Sequence, residues 1–335
     1  LSGTFAVGIF FVLSGFVLTV GYFTKKDDTI IKRMAAKRYL RLMLPALASV
    51  MIVFIILAFG LNAGMEGTVE KTQSLWLGQL WSFTPHLWDA LIQAAQGIFV
   101  NAISDTGYNP VLWTIFYEFL GSFIVFALAL AFGRSQYRWV AYAVAAALLF
   151  QTWLFGFILG MVLADIYVNK RGIITFFNNR LTYLLIPIAI FLGGFPSGEI
   201  TTTWYQAIKI PYLNDFQNIT FYVSVGATLL VLAVLALPRV NRFFANKHIS
   251  QYGRYSYSLY LLHMPVLFTV CVGSFNLLVG QFGVTFHLAA AISFVAACVV
   301  LVGLTYLFEK FIDAPSIRLS SSWSKFFFSK TSNKN

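Results

Sequence analysis

The sequence predicts an all-α fold, a polytopic bundle of transmembrane helices. The first observation is composition: 59% of the 335 residues are hydrophobic and only 10% are charged, whereas about a quarter of a soluble domain is charged. The second is nine apolar segments, most of them near the roughly 20 residues that a helix needs to cross a bilayer. The third is the placement of the basic residues in short loops between these segments. Together these observations exclude an ordinary soluble domain.

The nine segments define the predicted helices in chain order. They lie near residues 5–23, 42–62, 111–132, 138–151, 152–168, 181–196, 218–237, 256–276 and 285–309. The fourth and fifth are the hardest to separate, because only Gln151 and Thr152 interrupt the apolar run from Trp139 to Val168. Residues 138–168 could form one long tilted span or two spans, and a single span would invert the orientation of everything after it.

The basic residues predict the orientation of the chain. With nine spans, all 23 Lys and Arg residues except Lys71 and Lys209 fall on one side, which the positive-inside rule assigns to the cytoplasm. The C-terminus is then cytoplasmic and Leu1 is outside, so an intact protein is expected to have one more helix upstream and ten spans. We expect a cell-membrane domain over residues 1–318 and a flexible cytoplasmic tail over 319–335. Topology explains the net charge of +11, and no nucleic-acid partner is predicted.

A basic segment, Ile31–Pro45, precedes the second predicted span. It contains Lys32, Arg33, Lys37, Arg38 and Arg41. Clustered basic residues at a helix end are commonly cytoplasmic anchors. Arg38 and Arg41 are three residues apart, however, so on a helix their guanidinium groups share a face and could bind a phosphate. Spacing alone leaves both interpretations open.

Two carboxylates stand out within the predicted spans, where ionisable groups are costly and are usually functional or paired. Glu118 lies a few residues into the third span, directly after Tyr117. It could be a functional carboxylate or one that is paired for structural reasons. Asp165 lies close to Lys170 and Arg171, and we expect it to have a structural charge partner. In the same segment, Gly156 and Gly160 form a GxxxG pattern that favours close helix packing.

His263 is the only histidine well inside a predicted span, because His287 lies at the very end of the last one. Pro265 follows it and should interrupt the helical hydrogen bonds locally. A catalytic or ligand-binding role and a hydrogen bond between helices explain His263 equally well. The other histidines are far apart in sequence, none has a partner at metal-ligand spacing, and no metal site is predicted.

Five sequence motifs, in order, resemble those of the integral-membrane acyltransferase-3 family. They are Phe10–Phe16 (FFVLSGF), the Arg38 and Arg41 pair before Pro45, Leu112–Glu118 (LWTIFYE), Tyr255–Pro265 (YSYSLYLLHMP) and Phe308–Pro315 (FEKFIDAP). Each motif alone is weak, but the ordered set covers most of the chain. The resemblance implies an enzyme that takes an acyl group, usually acetyl, from acyl-CoA and delivers it to a hydroxyl group.

The resemblance also implies roles for particular residues. Arg38 and Arg41 would bind the donor near the CoA phosphates, with acyl-CoA (acetyl-CoA) as a substrate and no resident cofactor. The family's catalytic histidine belongs to a first helix, and no such histidine precedes Phe10 here. We therefore expect this chain to lack that helix and, as given, to be inactive. Glu118, Tyr117 and His263 are the candidate catalytic residues, for positioning the acceptor or relaying its proton.

The leading functional hypothesis is O-acyl transfer to a cell-surface polysaccharide or related glycan, with the lipid bilayer as the other partner. The main alternative is a membrane transporter or exporter without enzymatic activity. Kinked helices and intramembrane carboxylates would suit such a protein equally well. A narrower alternative keeps the family and changes the acyl group to succinyl or the acceptor to another molecule. The sequence does not distinguish among acceptors.

Overall fold

The computed structural model describes residues 3–62, 80–102, 107–196 and 203–329, and every regular element among them is helical. The chain divides into two units. Unit 1 contains Leu1–Ala36 and Tyr117–Ser250, and unit 2 contains Lys37–Phe116 and Gln251–Asn335. The predicted all-α membrane fold is confirmed.

The helices follow the predicted segments in order. The main ones are α1 (Gly3–Lys25), α2 (Asp28–Ala58), α3 (Leu87–Ile92, which continues through a π-helical turn to Val100), α4 (Trp113–Phe132), α5 (Arg138–Leu149), α6 (Leu154–Asn169), α7 (Arg171–Phe176), α8 (Leu185–Gly193), α9 (Asp215–Ala236), α10 (Pro238–Phe244), α11 (Lys247–Ser250), α12 (Ser256–Val266), α13 (Val272–Gly280), α14 (Phe286–Phe308) and α15 (Ala314–Ser329).

Each of the nine predicted segments overlaps a helix, but α2 begins at Asp28, well before the predicted start near residue 42, so the basic segment Ile31–Pro45 that was expected to precede the span is already helical. Residues 138–168 form two helices, α5 and α6, rather than one. Within the described ranges, six helical stretches are long and apolar enough to cross a membrane, and four further apolar helices have 10–17 residues. Lys71, one of the two basic residues assigned to the outer side, and residues 330–335 of the predicted tail lie outside the described residues. Residues 319–329 of that tail continue α15, and the domain boundary at residue 318 stays a prediction.

In unit 1, glycines allow α1 and α6 to approach closely. A Cβ atom on Gly15 would overlap the carbonyl oxygen of Phe157, and one on Gly160 would overlap the carbonyl oxygen of Val12. Gly156 lies against Phe11 on the same face. The close packing expected of the GxxxG pattern is therefore present, and it fixes α1 beside α6.

Asp165 of α6 is fully buried and paired. Arg138 Nε lies 2.7 Å from Asp165 Oδ2, while the Tyr142 hydroxyl donates to the same oxygen at 3.1 Å and Asn169 Nδ2 donates to Oδ1 at 2.7 Å. The expected structural role is present, but Lys170 and Arg171 are exposed at the end of the helix and the partner is Arg138 of α5. Sequence proximity suggested the wrong cation, because α5 and α6 pack side by side and bring Arg138 to the carboxylate.

We expect Arg138→Met to destabilise the protein by about 3 to 5 kcal/mol, the usual effect of removing one partner of a buried ion pair. The measurement is the midpoint of thermal unfolding in detergent. Arg134→Met is the matched control, because Arg134 pairs with Asp28 at 2.8 Å with both side chains substantially exposed. Its effect should stay at or below about 1 kcal/mol. Equal effects of the two changes would contradict the prediction.

In unit 2, the 3₁₀ turn Pro110–Leu112 is fastened to α12. Asn109 caps this turn by accepting a hydrogen bond from the Val111 N–H, and its Nδ2 donates to the Leu261 carbonyl oxygen at 2.8 Å. The Tyr260 hydroxyl donates to the Val111 carbonyl oxygen at 2.7 Å. The residues directly before LWTIFYE are thus joined by hydrogen bonds to YSYSLYLLHMP.

Besides the π-helical turn in α3, two π-helical segments interrupt the described helices of unit 2. Leu267–Cys271 begins two residues after Pro265, which has no N–H to continue the α-helical hydrogen bonds. The second, Glu309–Asp313, joins α14 to α15 and ends at Asp313, which is buried. π-Helical segments often occur at functional sites. Asp313 is the last residue of such a segment.

Candidate functional site

Glu118 lies in the second turn of α4 and is 2% exposed. The Ser14 hydroxyl of α1 donates a hydrogen bond to Glu118 Oε1 at 2.7 Å. Both residues belong to unit 1. A carboxylate removed from water needs polar partners, and a hydroxyl from the FFVLSGF motif supplies one of them. In chemical terms, this arrangement presents a buried carboxylate that can accept a proton or a hydrogen bond.

Tyr117 is half-buried, and like its neighbour Glu118 it contacts α1. Its ring centroid lies 6.0 Å from that of Phe11. Phe11 and Ser14 are three residues apart on α1, so they share a face of that helix. Phe11 contacts Tyr117 and Ser14 contacts Glu118, and the motif FFVLSGF therefore packs against the end of LWTIFYE within unit 1.

Arg38 and Arg41 both lie on α2 in unit 2, one turn apart. Both are half-buried, whereas Lys32 and Arg33 near the start of the same helix are exposed. An anchor for lipid headgroups needs an exposed cation, as Lys32 and Arg33 are. Arg38 and Arg41 are therefore less accessible to solvent than the two cations nearer the start of the helix.

Arg41 is held by three neighbours. Its Nη1 lies 2.6 Å from Asp313 Oδ1 and 3.4 Å from Ser316 Oγ, and its guanidinium carbon is 5.2 Å from the centroid of the Tyr257 ring. The Asp313 side chain is 3% exposed and that of Arg41 is 25% exposed. A buried carboxylate and an aromatic face thus fix the orientation of a cation that water still reaches.

His263 lies on α12, the helix that also carries Tyr257. Its Nδ1 is 2.7 Å from the backbone carbonyl oxygen of Tyr260. A carbonyl oxygen only accepts, so Nδ1 carries the hydrogen and Nε2 of the neutral ring is the basic nitrogen. His263 and Tyr257 are six residues apart, roughly 9 Å along the helix axis. The ring therefore has the tautomer that a general base at Nε2 requires.

The sequence comparison decides the family. A family model described as an acyltransferase domain, that of the acyltransferase-3 family, matches residues 1–309. The chain belongs to the acyltransferase-3 family. No curated protein and no solved structure matched the chain. Membership and the apolar helices make the protein a multi-pass membrane acyltransferase in general terms.

The five predicted site residues of this acyltransferase divide between the units. Tyr117 and Glu118 belong to unit 1, and Arg38, Arg41 and His263 belong to unit 2. Within unit 1, Tyr117 and Glu118 both contact α1. Within unit 2, Arg41 contacts Tyr257, which lies on the same helix as His263.

Sequence reasoning missed the hydrogen-bonding or ionic partners of two predicted site residues, namely Ser14, which contacts Glu118, and Asp313, which contacts Arg41. Both lie inside motifs that carried the family resemblance, FFVLSGF and FEKFIDAP, so the motifs pointed to them without giving their partners. Asp313 is 272 positions from Arg41 and Glu118 is 104 positions from Ser14. A carboxylate within an apolar, motif-bearing segment was the available signal.

On the predicted outer side, Tyr108 holds the loop before α3. Its hydroxyl accepts a hydrogen bond from the His86 N–H and donates one to the His86 carbonyl oxygen, each at 2.9 Å. Burial raises the pKa of Tyr108, and its hydrogen bond to the His86 backbone partly offsets this effect. His86 thus contributes its backbone to loop structure in this acyltransferase.

Proposed function

We propose that this acyltransferase moves an acyl group, with acetyl preferred, from acyl-CoA to a hydroxyl of a cell-surface polysaccharide or related glycan. In the reaction, the acceptor oxygen attacks the thioester carbonyl carbon, the carbon–sulfur bond breaks, and the CoA thiolate leaves and takes up a proton. A base must remove the proton from the acceptor hydroxyl. The protein supplies the binding groups, and acyl-CoA supplies the activated acyl group.

The observation that carries the proposal is the fixed Arg41 beside Arg38. A guanidinium group held by a buried carboxylate and an aromatic ring loses little conformational freedom when it binds a phosphate. Because Asp313 neutralises part of the charge, Arg41 contributes directed N–H donors and Arg38 contributes further positive charge. This combination suits the phosphates of CoA better than a nonspecific anionic surface, which would need only exposed cations.

Glu118, Tyr117 and His263 are proposed to position the acceptor or relay its proton. Glu118 is buried, so a charge there interacts strongly with its surroundings. His263 Nε2 is basic in the tautomer described above. Tyr117 contributes a hydroxyl and an aromatic face, which can stack on a sugar ring. Each of these roles is compatible with hydroxyl acylation and none requires a metal ion.

The rival hypothesis is a transporter or exporter that makes no covalent bond. A transporter gives no reason for two half-buried arginines of which one is oriented by a buried carboxylate. The two hypotheses differ in one measurable respect. An acyltransferase consumes acyl-CoA stoichiometrically with acceptor modification, whereas an exporter moves a glycan without consuming acyl-CoA.

The test uses membranes from cells that express the natural gene, supplied with acetyl-CoA labelled in the acetyl group. We expect label to appear in the surface glycan as an alkali-labile ester and to disappear when Arg38 and Arg41 are both changed to Ala. The control changes Lys32 and Arg33 to Ala, which removes equal charge from the exposed part of the same helix. If both double variants behave alike, the donor-binding role of Arg38 and Arg41 is wrong. Glycan export without any ester formation would favour the exporter.

A further inference from the structure

A groove lies between the first turns of α12 and the last turns of α14, within unit 2. Its volume is about 490 Å³, and its walls include Tyr252, Tyr255, Leu259, Val302 and Tyr306. These positions belong to the N-terminal end of α12, with the turn before it, and to the C-terminal end of α14. The two helices are therefore antiparallel here, and the groove is at one end of both. Its size is within the range of small-molecule sites.

The groove is aromatic at its mouth and aliphatic further along. Leu259 is one turn beyond Tyr255 on α12, and Val302 is about one turn before Tyr306 on α14, so both lie deeper along their helices. Tyr252, Leu259, Val302 and Tyr306 are all exposed large side chains. Tyrosines in this position are typical of the interface between headgroups and hydrocarbon. The aliphatic part would then face the hydrocarbon layer.

A cation stands at the mouth of the groove. The guanidinium carbon of Arg254 is 4.5 Å from the centroid of the Tyr255 ring, and its Nη2 donates to the Tyr255 hydroxyl. Arg254 is exposed, and the Tyr255 ring is 6.4 Å from that of Tyr306 across the groove. Glu309 is close enough to interact electrostatically with Arg254. The mouth therefore presents an oriented guanidinium group and tyrosine hydroxyl groups, with one carboxylate nearby.

The inner wall contains an unsatisfied hydroxyl. Thr305 lines the groove and is 4% exposed, and its Oγ1 has no hydrogen-bond partner among the residues that the structure describes. Buried hydroxyl groups without partners are uncommon in proteins. A ligand with an ester or phosphate oxygen, inserted between α12 and α14, would provide an acceptor. This observation is independent of the charge at the mouth.

We propose that the groove binds one anionic phospholipid of the bilayer. The phosphate lies against Arg254 and the hydroxyl of Tyr255, the glycerol ester region lies near Thr305, and an acyl chain runs along Leu259 and Val302. Charge selects an anionic headgroup over a zwitterionic one, because Arg254 is stacked in place to meet a negative charge. Arg38, Arg41 and His263 do not line the groove, and the proposal does not depend on the proposed acyl transfer.

The test is photo-crosslinking of the full chain in phosphatidylcholine vesicles that contain a small fraction of phosphatidylglycerol with a photoreactive acyl chain. We expect labelled peptides to include residues 252–259 and 302–306, and unlabelled phosphatidylglycerol to compete more effectively than phosphatidylcholine. Arg254→Gln should weaken this competition about tenfold, the size expected when a charge-assisted hydrogen bond is lost. Val302→Trp, which fills the aliphatic part without changing charge, should also reduce labelling of these peptides.

The matched control is Arg242→Gln, which removes an equal charge from an exposed position on α10 and should leave labelling unchanged. Equal labelling by a phosphatidylcholine probe would overturn the proposal, because the lipid contact would then be nonspecific. Unchanged labelling in both Arg254→Gln and Val302→Trp would also overturn it. The readout is lipid binding, so a failure of the proposed acyl transfer would not affect it.

Discussion

Asp313→Asn is expected to raise the KM for acyl-CoA by roughly ten- to a hundredfold, with a smaller effect on kcat. The substitution keeps the size of the side chain and removes the charge that holds Arg41 Nη1 at 2.6 Å. A hydrogen bond between charged groups contributes about 1.5 to 3 kcal/mol, and each 1.4 kcal/mol corresponds to a factor of ten. The measurement is steady-state transfer from acyl-CoA in membranes that contain equal amounts of folded protein.

A double-variant experiment separates positioning from a general loss of structure. If Asp313 acts through Arg41, then Asp313→Asn combined with Arg41→Ala should be no worse than Arg41→Ala alone. Arg138→Met is the control for stability, since it breaks a buried ion pair in unit 1 and should leave the KM for acyl-CoA unchanged. Additive effects of the two changes at positions 313 and 41 would contradict the positioning role.

Glu118→Gln is expected to lower the rate of transfer by about 10²- to 10⁴-fold, the usual contribution of a group that moves a proton in the transition state. Gln keeps an oxygen that can accept the hydrogen bond from Ser14, so folded protein should accumulate normally. The measurement is the transfer rate at saturating acyl-CoA in membranes that contain equal amounts of folded protein.

Ser14→Ala is the companion variant. It leaves the carboxylate in place and removes one donor, so we expect a moderate loss, about 1 to 3 kcal/mol in stability or rate. If Glu118→Gln instead reduces the amount of folded protein as much as it reduces activity, Glu118 has a structural role. A wild-type rate in Glu118→Gln would show that its charge takes no part in the chemistry.

Local sequence patterns predicted the helices well because each is encoded by a continuous apolar run. A run of about 20 apolar residues must satisfy its backbone polar groups internally in lipid, and a helix does so without distant partners. The glycine pattern at Gly156 and Gly160 was equally readable, since close packing requires small residues whatever the neighbour is. The short polar interruption at Gln151 and Thr152 was harder to interpret, because one tilted span and two shorter spans satisfy the same local rules.

Side-chain partners were predicted poorly because they are chosen by packing between distant segments. Asp165 was expected to find its cation nearby in sequence, but the antiparallel α5 and α6 bring Arg138 to it instead. The partner of Arg41 could not be found from spacing, because Asp313 follows it by 272 positions. A charge in an apolar segment predicts that a partner exists, but the sequence alone does not say which residue it is.

By itself, the sequence determined an all-α membrane protein, its family motifs and the residue types available for chemistry, because hydrophobicity and motif order are local properties. The tertiary structure alone decided that Ser14 meets Glu118, that Asp313 and Tyr257 orient Arg41, and that a tyrosine-lined groove forms between α12 and α14. The reason is physical: hydrogen bonds and ion pairs act over a few ångströms, and only the folded helices bring such distant positions within that range.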